Sequence, residues 1–314
     1  MQGVIIRSTG SWYDVKLADN TILPCRIVGK FRLNDKKLTN PVAVGDRVII
    51  SPVDGEDTGM IKEILYRDNY VIRQSPRKKH YLHILAANID LALLIVTIAE
   101  PKLKQGFIDR FLLMTEPYDI PVHIVFNKAD VYDEDDLLMY GYMKAIYTAI
   151  GYECSLVSSL DGEGIEELRL ALKDKLTLFS GQSGVGKSTL INAIQSGLEL
   201  RTGEISDYSG KGQHTTTFAE MFDLDIGGSI IDTPGIKNLS FNHFEVMDVA
   251  HNFKEIFILS EDCKFGDCTH RNEPKCAVKQ ALEEGHISEL RYNNYLQLVD
   301  EVEDQNYWER KSGY

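Results

Sequence analysis

Eight consecutive residues, Gly181-Gln182-Ser183-Gly184-Val185-Gly186-Lys187-Ser188, satisfy the pattern Gly-x-x-x-x-Gly-Lys-Ser/Thr. The chemistry of that pattern is phosphate binding. Glycines let the backbone curl so that its N–H groups point at phosphate oxygens, the lysine reaches the terminal phosphates, and the hydroxyl of Ser188 is placed to ligate Mg2+. Leu176 to Phe179 before the loop reads as a buried strand, and Thr189 to Ile194 after it as an amphipathic helix whose N-terminal dipole favours an anion. A chance match at the four fixed positions arises in roughly one chain in a hundred of this length, and more rarely with both flanks. The expected ligand is a nucleoside triphosphate.

Other motifs decide which one. Asn127-Lys128-Ala129-Asp130 ends an apolar run, Val122 to Phe126. The Asp130 carboxylate can accept from both the ring N–H and the exocyclic amine of guanine, whereas adenine presents an acceptor and would leave it unpaired. Asn127 can reach the far edge of the base, and the Lys128 stem can cover its face. Ser158-Ser159, after the following strand, fits a further base-contacting loop. Asp232-Thr233-Pro234-Gly235 follows another apolar run and would place a carboxylate near Mg2+ and the Gly235 N–H near the terminal phosphate. In Gly212-Gln213-His214-Thr215-Thr216-Thr217 a threonine hydroxyl, Thr216 in our reading, would close over the metal. Together these describe a GTPase. Ile236 stands where many GTPases carry a water-orienting glutamine, and an alkyl group cannot orient water, so the expected intrinsic rate is slow. His214 is the candidate catalytic group, with RNA contact or simple packing as its other reading.

The order of these motifs is unusual. The guanine-reading residues 127–130 and 158–159 precede the phosphate loop, so the expected domain is a circularly permuted α/β P-loop GTPase. The switch segment then lies directly before the C-terminal region, into which phosphate-dependent motion would pass. The elements that must position the motifs read as strands at Leu91–Ile98, Val122–Phe126 and Glu153–Val157, helices at Phe107–Glu116, Glu134–Ile150 and Gly164–Leu172, and a hairpin at 220–232. That alternation implies a mainly parallel sheet with helices on both faces and ligand loops at the strand C-termini.

Before residue 66 the pattern differs. Five short strands, Val4–Ser8, Trp12–Leu17, Thr21–Val28, Asp46–Pro52 and Gly59–Ile64, are separated by turn residues and suggest a small oligonucleotide-binding barrel. Lys30, Arg32, Lys36 and Lys37 would contact phosphates. Strand spacing is equally compatible with a barrel that serves only as a packing module. The segment 66–84, with Arg73, Arg77, Lys78, Lys79 and His80 around Pro76, reads as a linker. Net charge is −13, yet residues 1–80 hold 14 basic against 9 acidic side chains and the remainder 20 against 38. A basic head on an acidic body suits a protein that meets a polyanion through one end.

Cys263, Cys268, His270 and Cys276 form Cys-x4-Cys-x-His-x5-Cys, a donor set suited to one tetrahedral, structural Zn2+. Cys25 and Cys154 fall on expected strands and read as core. No apolar run reaches the length of a bilayer span and the N-terminus lacks a basic leader, so a cytoplasmic protein is expected.

The succession of barrel, permuted GTPase and Cys-Cys-His-Cys segment resembles the ribosome small subunit-dependent GTPase A family over nearly the whole chain. It rests on Gly-x-Ser-Gly-Val-Gly-Lys-Ser, Asn-Lys-x-Asp, His-Thr-Thr-Thr and the cysteine spacing. The resemblance implies an OB-fold RNA-binding barrel at 1–68, a linker at 69–84, the GTPase at 85–242 and an α-helical zinc-binding domain at 243–314. It also implies a monomer that hydrolyses GTP during late maturation of the small (30S) ribosomal subunit, binding its rRNA and stimulated by it. An alternative is an rRNA-binding assembly module in which nucleotide sets conformation and turnover is incidental. Gln213 departs from the basic residue that the resemblance would place there.

Overall fold

The structure, a computed structural model, describes residues 1–29, 40–74, 82–104, 106–196, 198, 219–233, 241 and 244–312. Five strands, β1 (Gln2–Ser8), β2 (Tyr13–Leu17), β3 (Ile22–Ile27), β4 (Arg47–Pro52) and β5 (Gly59–Ile64), pair in the closed order β1-β2-β3-β5-β4-β1. All pairs are antiparallel except β3 with β5, the arrangement of an OB-fold barrel. Period-two alternation explains the closure: Tyr13, Val15 and Leu17 of β2 point inward and pack with Ile5, Cys25, Val48, Ile50 and Ile61.

Within the segment expected to be a linker, the described residues carry paired strands. Strands β6 (Tyr70–Gln74) and β7 (Leu82–Ala87) pair antiparallel within 69–84 and just beyond it. A register shift between Val71 and Ile72 breaks the alternation, so both side chains are buried, each in a different cluster. A bulge of this kind hides a strand from any reading based on strict alternation. The pair is also fastened to the barrel. The buried carboxylate of Asp46 accepts from Arg67 Nε at 2.6 Å and from Ala43 N at 2.8 Å, and Arg67 also donates to Pro41 O. Gly45 sits at φ 91° with the Ala87 carbonyl only 2.1 Å from where a Cβ would lie, so no other residue fits there.

The larger sheet runs β10-β9-β8-β11-β13-β12. Strands β8 (Leu91–Val96), β9 (Val122–Phe126), β10 (Glu153–Leu156), β11 (Leu176–Gly181) and β13 (Ser229–Asp232) are parallel to their neighbours, and β12 (Glu220–Asp223) is antiparallel to β13. β8 and β9 are buried at every residue, as strands covered on both faces must be. Helices α3 (Ile165–Leu172) and α4 (Lys187–Ile194) cover one face. Helices α1 (Phe107–Thr115) and α2 (Glu134–Ala149) cover the other. β12 also meets β1 of the barrel, through the single register pair Arg7 and Glu220.

The C-terminal helices α5 (Val246–His251), α6 (Lys254–Ser260), α7 (Ala277–Glu283) and α8 (Glu289–Ser312) share one continuous core with α1 and α2. At its centre lies Arg291, only 2% exposed. Its guanidinium donates to both carboxylate oxygens of Glu255 and, at 2.6 Å, to Oδ1 of Asp109 on α1. Tyr147 and Asn294 donate to the same Asp109 carboxylate, and Phe253 lies under the guanidinium. Removing one partner of such a buried pair leaves the other charged and unpaired. Asp109→Ala is therefore expected to lower stability by roughly 3 kcal/mol. The midpoint of urea unfolding measures it; an unchanged midpoint would mean that Glu255 alone satisfies Arg291.

Candidate nucleotide and metal sites

The phosphate loop joins the C-terminal end of central strand β11 to the first turn of α4. Gly184 and Gly186 adopt φ 87° and 85°, and a Cβ on Gly186 would lie 2.5 Å from Nδ2 of Asn127. That near contact reflects how closely two chain-distant motifs meet. Asn127 is fully buried, donates from Nδ2 to the Val185 carbonyl at 2.9 Å, and accepts at Oδ1 from the backbone N–H of Ser159 at 3.2 Å. One amide thus ties the ends of β9, β10 and β11 together. Ser158, also buried, donates to Asp130 Oδ1 at 2.7 Å and accepts from Asp161 N, leaving the exposed Asp130 carboxylate aimed by one firm bond. Lys128 takes the left-handed φ of 68° that turns the chain between Asn127 and Asp130.

Lys187 and Asp232 are brought together across β11 and β13. The ammonium donates to Asp232 Oδ1 at 2.5 Å and to the Thr233 carbonyl, and the Thr233 hydroxyl donates back to Phe179 O. With both side chains nearly buried, this cation faces the rim on which a triphosphate would settle. Gln182, Ser183, Ser188 and Thr189 line the same rim at least partly open to solvent. His214, Thr216 and Gly235 lie outside the described residues, as do Lys30, Arg32, Lys36, Lys37 and residues 75–81.

In the C-terminal unit the Sγ atoms of Cys263, Cys268 and Cys276 and a ring nitrogen of His270 all lie within 4.8 Å of one another. His270 Nδ1 is 3.4 Å from Cys276 Sγ and 3.7 Å from Cys263 Sγ, and those two sulfurs are 3.9 Å apart. The corners of a tetrahedron with metal–ligand bonds of about 2.0–2.3 Å stand roughly 3.3–3.8 Å apart, so the four donors fit a single small cation. Burial pushes the Cys268 thiol up to about 12 and holds the His270 imidazole below its usual range. Thiolates accumulate in such a pocket only when a cation shares their charge. Tyr292 and Tyr295 donate to the carbonyls of His270 and Thr269, and Glu273 gathers the N–H groups of Thr269, Arg271 and Asn272, so the ligand loop is locked from behind. Cys25 and Cys154 are away from this cluster, and burial pushes both thiols up to about 11.

The profile of the RsgA GTPase family matches residues 64–242, and that of the RsgA N-terminal domain matches residues 2–61. The chain belongs to the RsgA GTPase family. The small ribosomal subunit biogenesis GTPase RsgA of Bacteroides fragilis is 52% identical to it over 307 residues, which span 98% of this chain and 99% of that one. The protein of the same name from Flavobacterium psychrophilum is 49% identical, over 98% of this chain and 94% of its own length. Among solved structures, YjeQ from Thermotoga maritima superposes with a TM-score of 0.77 at 36% identity, covering 96% of this chain and 98% of its own. YloQ, a circularly permuted GTPase, superposes with a TM-score of 0.73 at 31% identity, covering 97% and 95%. The permuted motif order is thus the RsgA architecture, and this chain is a GTPase.

Within that site, motif spacing alone misses Tyr132. Its hydroxyl accepts from Ile98 N at 2.8 Å and donates to the Asn127 carbonyl at 2.9 Å, bracing the guanine-reading turn against the end of β8. No spacing rule marks a tyrosine two residues beyond Asn-Lys-x-Asp; only its contacts reveal it. Tyr132→Phe frees the Asn127 carbonyl and orphans the Ile98 N–H. It is expected to weaken GTP binding roughly fivefold to tenfold with turnover at saturating GTP retained. Titration with a fluorescent GTP analogue measures this, and an unchanged Kd would show that the bonds to Val185 and Ser159 suffice.

Proposed function

We propose that the chain hydrolyses GTP to GDP and phosphate as a late-stage biogenesis factor of the small (30S) ribosomal subunit, which stimulates its turnover. The observation that carries this reading is the amide of Asn127, which bonds Val185 of the phosphate loop and the Ser159 N–H, next to an Asp130 carboxylate held by Ser158. A base reader and a phosphate cradle held by one buried amide form a site shaped for a guanine nucleotide. Its relatives named small ribosomal subunit biogenesis GTPases supply the direction of the activity.

In this reading Asp130 pairs with the guanine ring N–H and exocyclic amine, Asn127 and Ser159 approach its opposite edge, and Lys128 and Ala129 flank the base. The backbone of Gly181 to Ser188 and Thr189 faces the phosphates. Lys187, now paired with Asp232, turns toward the β- and γ-phosphates as their charge outcompetes a single carboxylate. Ser188 and Thr216 would hold Mg2+, which would draw charge from the phosphate oxygens, with Asp232 as a further candidate toward the metal and the Gly235 N–H toward the terminal phosphate. His214 is the candidate for orienting water, its position completed on the subunit. Among the described residues, no fifth His, Cys, Asp or Glu joins the donor set of Cys263, Cys268, His270 and Cys276, which suits one structural Zn2+.

The barrel and the basic 69–84 segment would meet rRNA, the GTPase would act over 85–242, and the zinc-held helices over 243–314. The protein would work as a cytoplasmic monomer; among the described residues no helix is long and apolar enough to cross a membrane. Two outcomes test the reading. GTP hydrolysis should rise roughly tenfold or more on adding purified small subunits, about 1.4 kcal/mol off the barrier. Asp130→Asn should transfer preference from GTP to xanthosine triphosphate; indifference to subunits, or undiminished GTP use by the variant, would overturn the corresponding half. For the metal, atomic absorption should find zinc in the purified chain, and Cys276→Ser should lose it together with the thermal stability of the C-terminal helices.

A further inference from the structure

Helix α2 carries apolar side chains on two opposite faces. On the inner one Met143 and Tyr147 are buried, and Tyr140 packs edge-on against Phe126 with ring centroids 5.2 Å apart. On the outer one Leu138 is 73% exposed and Tyr142 49%, with Leu137 and Met139 on either side. Leu138 and Tyr142 stand one turn apart on a single stripe that Ala145 and Ala149 continue, all exposed. Single exposed leucines are ordinary, but a full stripe on the outside of a helix already packed by its other face contributes nothing to folding.

The stripe has an acidic head. Asp133 and Asp136 are engaged in capping each other's backbone N–H groups, while Glu134 and Asp135 are exposed and pair with no cation among the described residues. Lys144 is the one base on this helix. Like charge sets the face against a phosphate backbone, and a net charge of −13 sets it against a second copy of the chain. What complements it is a basic polypeptide segment with apolar anchors.

Resting on the functional reading above, we propose that the outer face of α2 docks a basic, apolar-anchored segment of a protein of the small subunit. This contact is separate from the rRNA contacts assigned to the barrel. Its position gives it a purpose. α2 begins four residues beyond Asp130, and Tyr132 lies between them with its hydroxyl on Asn127 and Ile98, so a load on the first turn of α2 bears on the guanine-reading loop.

The test uses the full chain and purified small subunits at fixed salt. Leu138→Glu with Tyr142→Glu should weaken subunit binding roughly tenfold while GTP turnover without subunits is unchanged. Glu134→Lys with Asp135→Lys should weaken it too, whereas an RNA partner would bind that variant more tightly. A photoreactive benzoylphenylalanine in place of Tyr142 should cross-link to a subunit protein. Wild-type binding by both double variants, tighter binding by the lysine pair, cross-linking to rRNA alone, or a wild-type dimer that Leu138→Glu dissolves would each overturn the proposal. Should the unaltered chain itself ignore small subunits, the functional reading falls and this surface with it; should it bind them and the variants bind equally well, only this surface is lost.

Discussion

A buried primary amide holds the nucleotide site together. Asn127 has no access to solvent, so each of its polar atoms must find a partner within the protein or stand as a cost of about 1–3 kcal/mol. It finds them in Val185 of the phosphate loop and Ser159 of the loop after β10. A circular permutation moves motifs along the chain while leaving this requirement untouched. Strands β9, β10 and β11 remain neighbours through β8, their C-terminal ends remain on one edge, and the amide closes the same three loops whichever comes first.

The attachments of the three units differ in kind. The C-terminal helices share their core with α1 and α2 and bury a charge cluster, Arg291 with Asp109 and Glu255, at the junction. Such a cluster tolerates few alternative arrangements, because any displacement strands a charge. The barrel has its own closed core and is fastened through Asp46, Arg67 and Gly45 to the β6–β7 pair, with one register pair and the ion pairs of Arg7 and Lys16 linking it to β12. The C-terminal helices and the GTPase therefore share one core, and the barrel is joined to it by these polar contacts together with Val44 and Ala43, which are buried against the β6–β7 pair.

Much of this was legible in the chain because phosphate binding and base reading rest on short, contiguous backbone motifs. Gly181 to Ser188 and Asn127 to Asp130 carry their geometry in their own residue types; β8 is an unbroken apolar run, and β9 is apolar but for His123. What escaped depends on contacts distant in sequence. β6 and the start of β7 read as a linker in the sequence because the bulge at Val71 and Ile72 scrambles their alternation and their charged residues resemble a solvated face. Tyr132 resembled any turn tyrosine, and Arg291 any charged residue of a polar C-terminal helix; each matters through partners that no local spacing encodes. The Lys187–Asp232 pair was equally invisible, although both residues were singled out, since their proximity follows from β11 and β13 lying side by side.

β12 is the strand on which two of these bodies touch. One edge of it pairs with β13, whose last residue is Asp232 at the nucleotide rim, and the other meets β1 through Arg7 and Glu220. Glu220 is thus opposite Asp232 in one register and opposite Arg7 in the other. A single residue separates the carboxylate that pairs with the phosphate-loop lysine from the wall of the barrel, a span of two strand spacings, or about 10 Å. The chain thereby places the wall of its barrel within the width of one strand of its nucleotide rim, a lever with almost no arm.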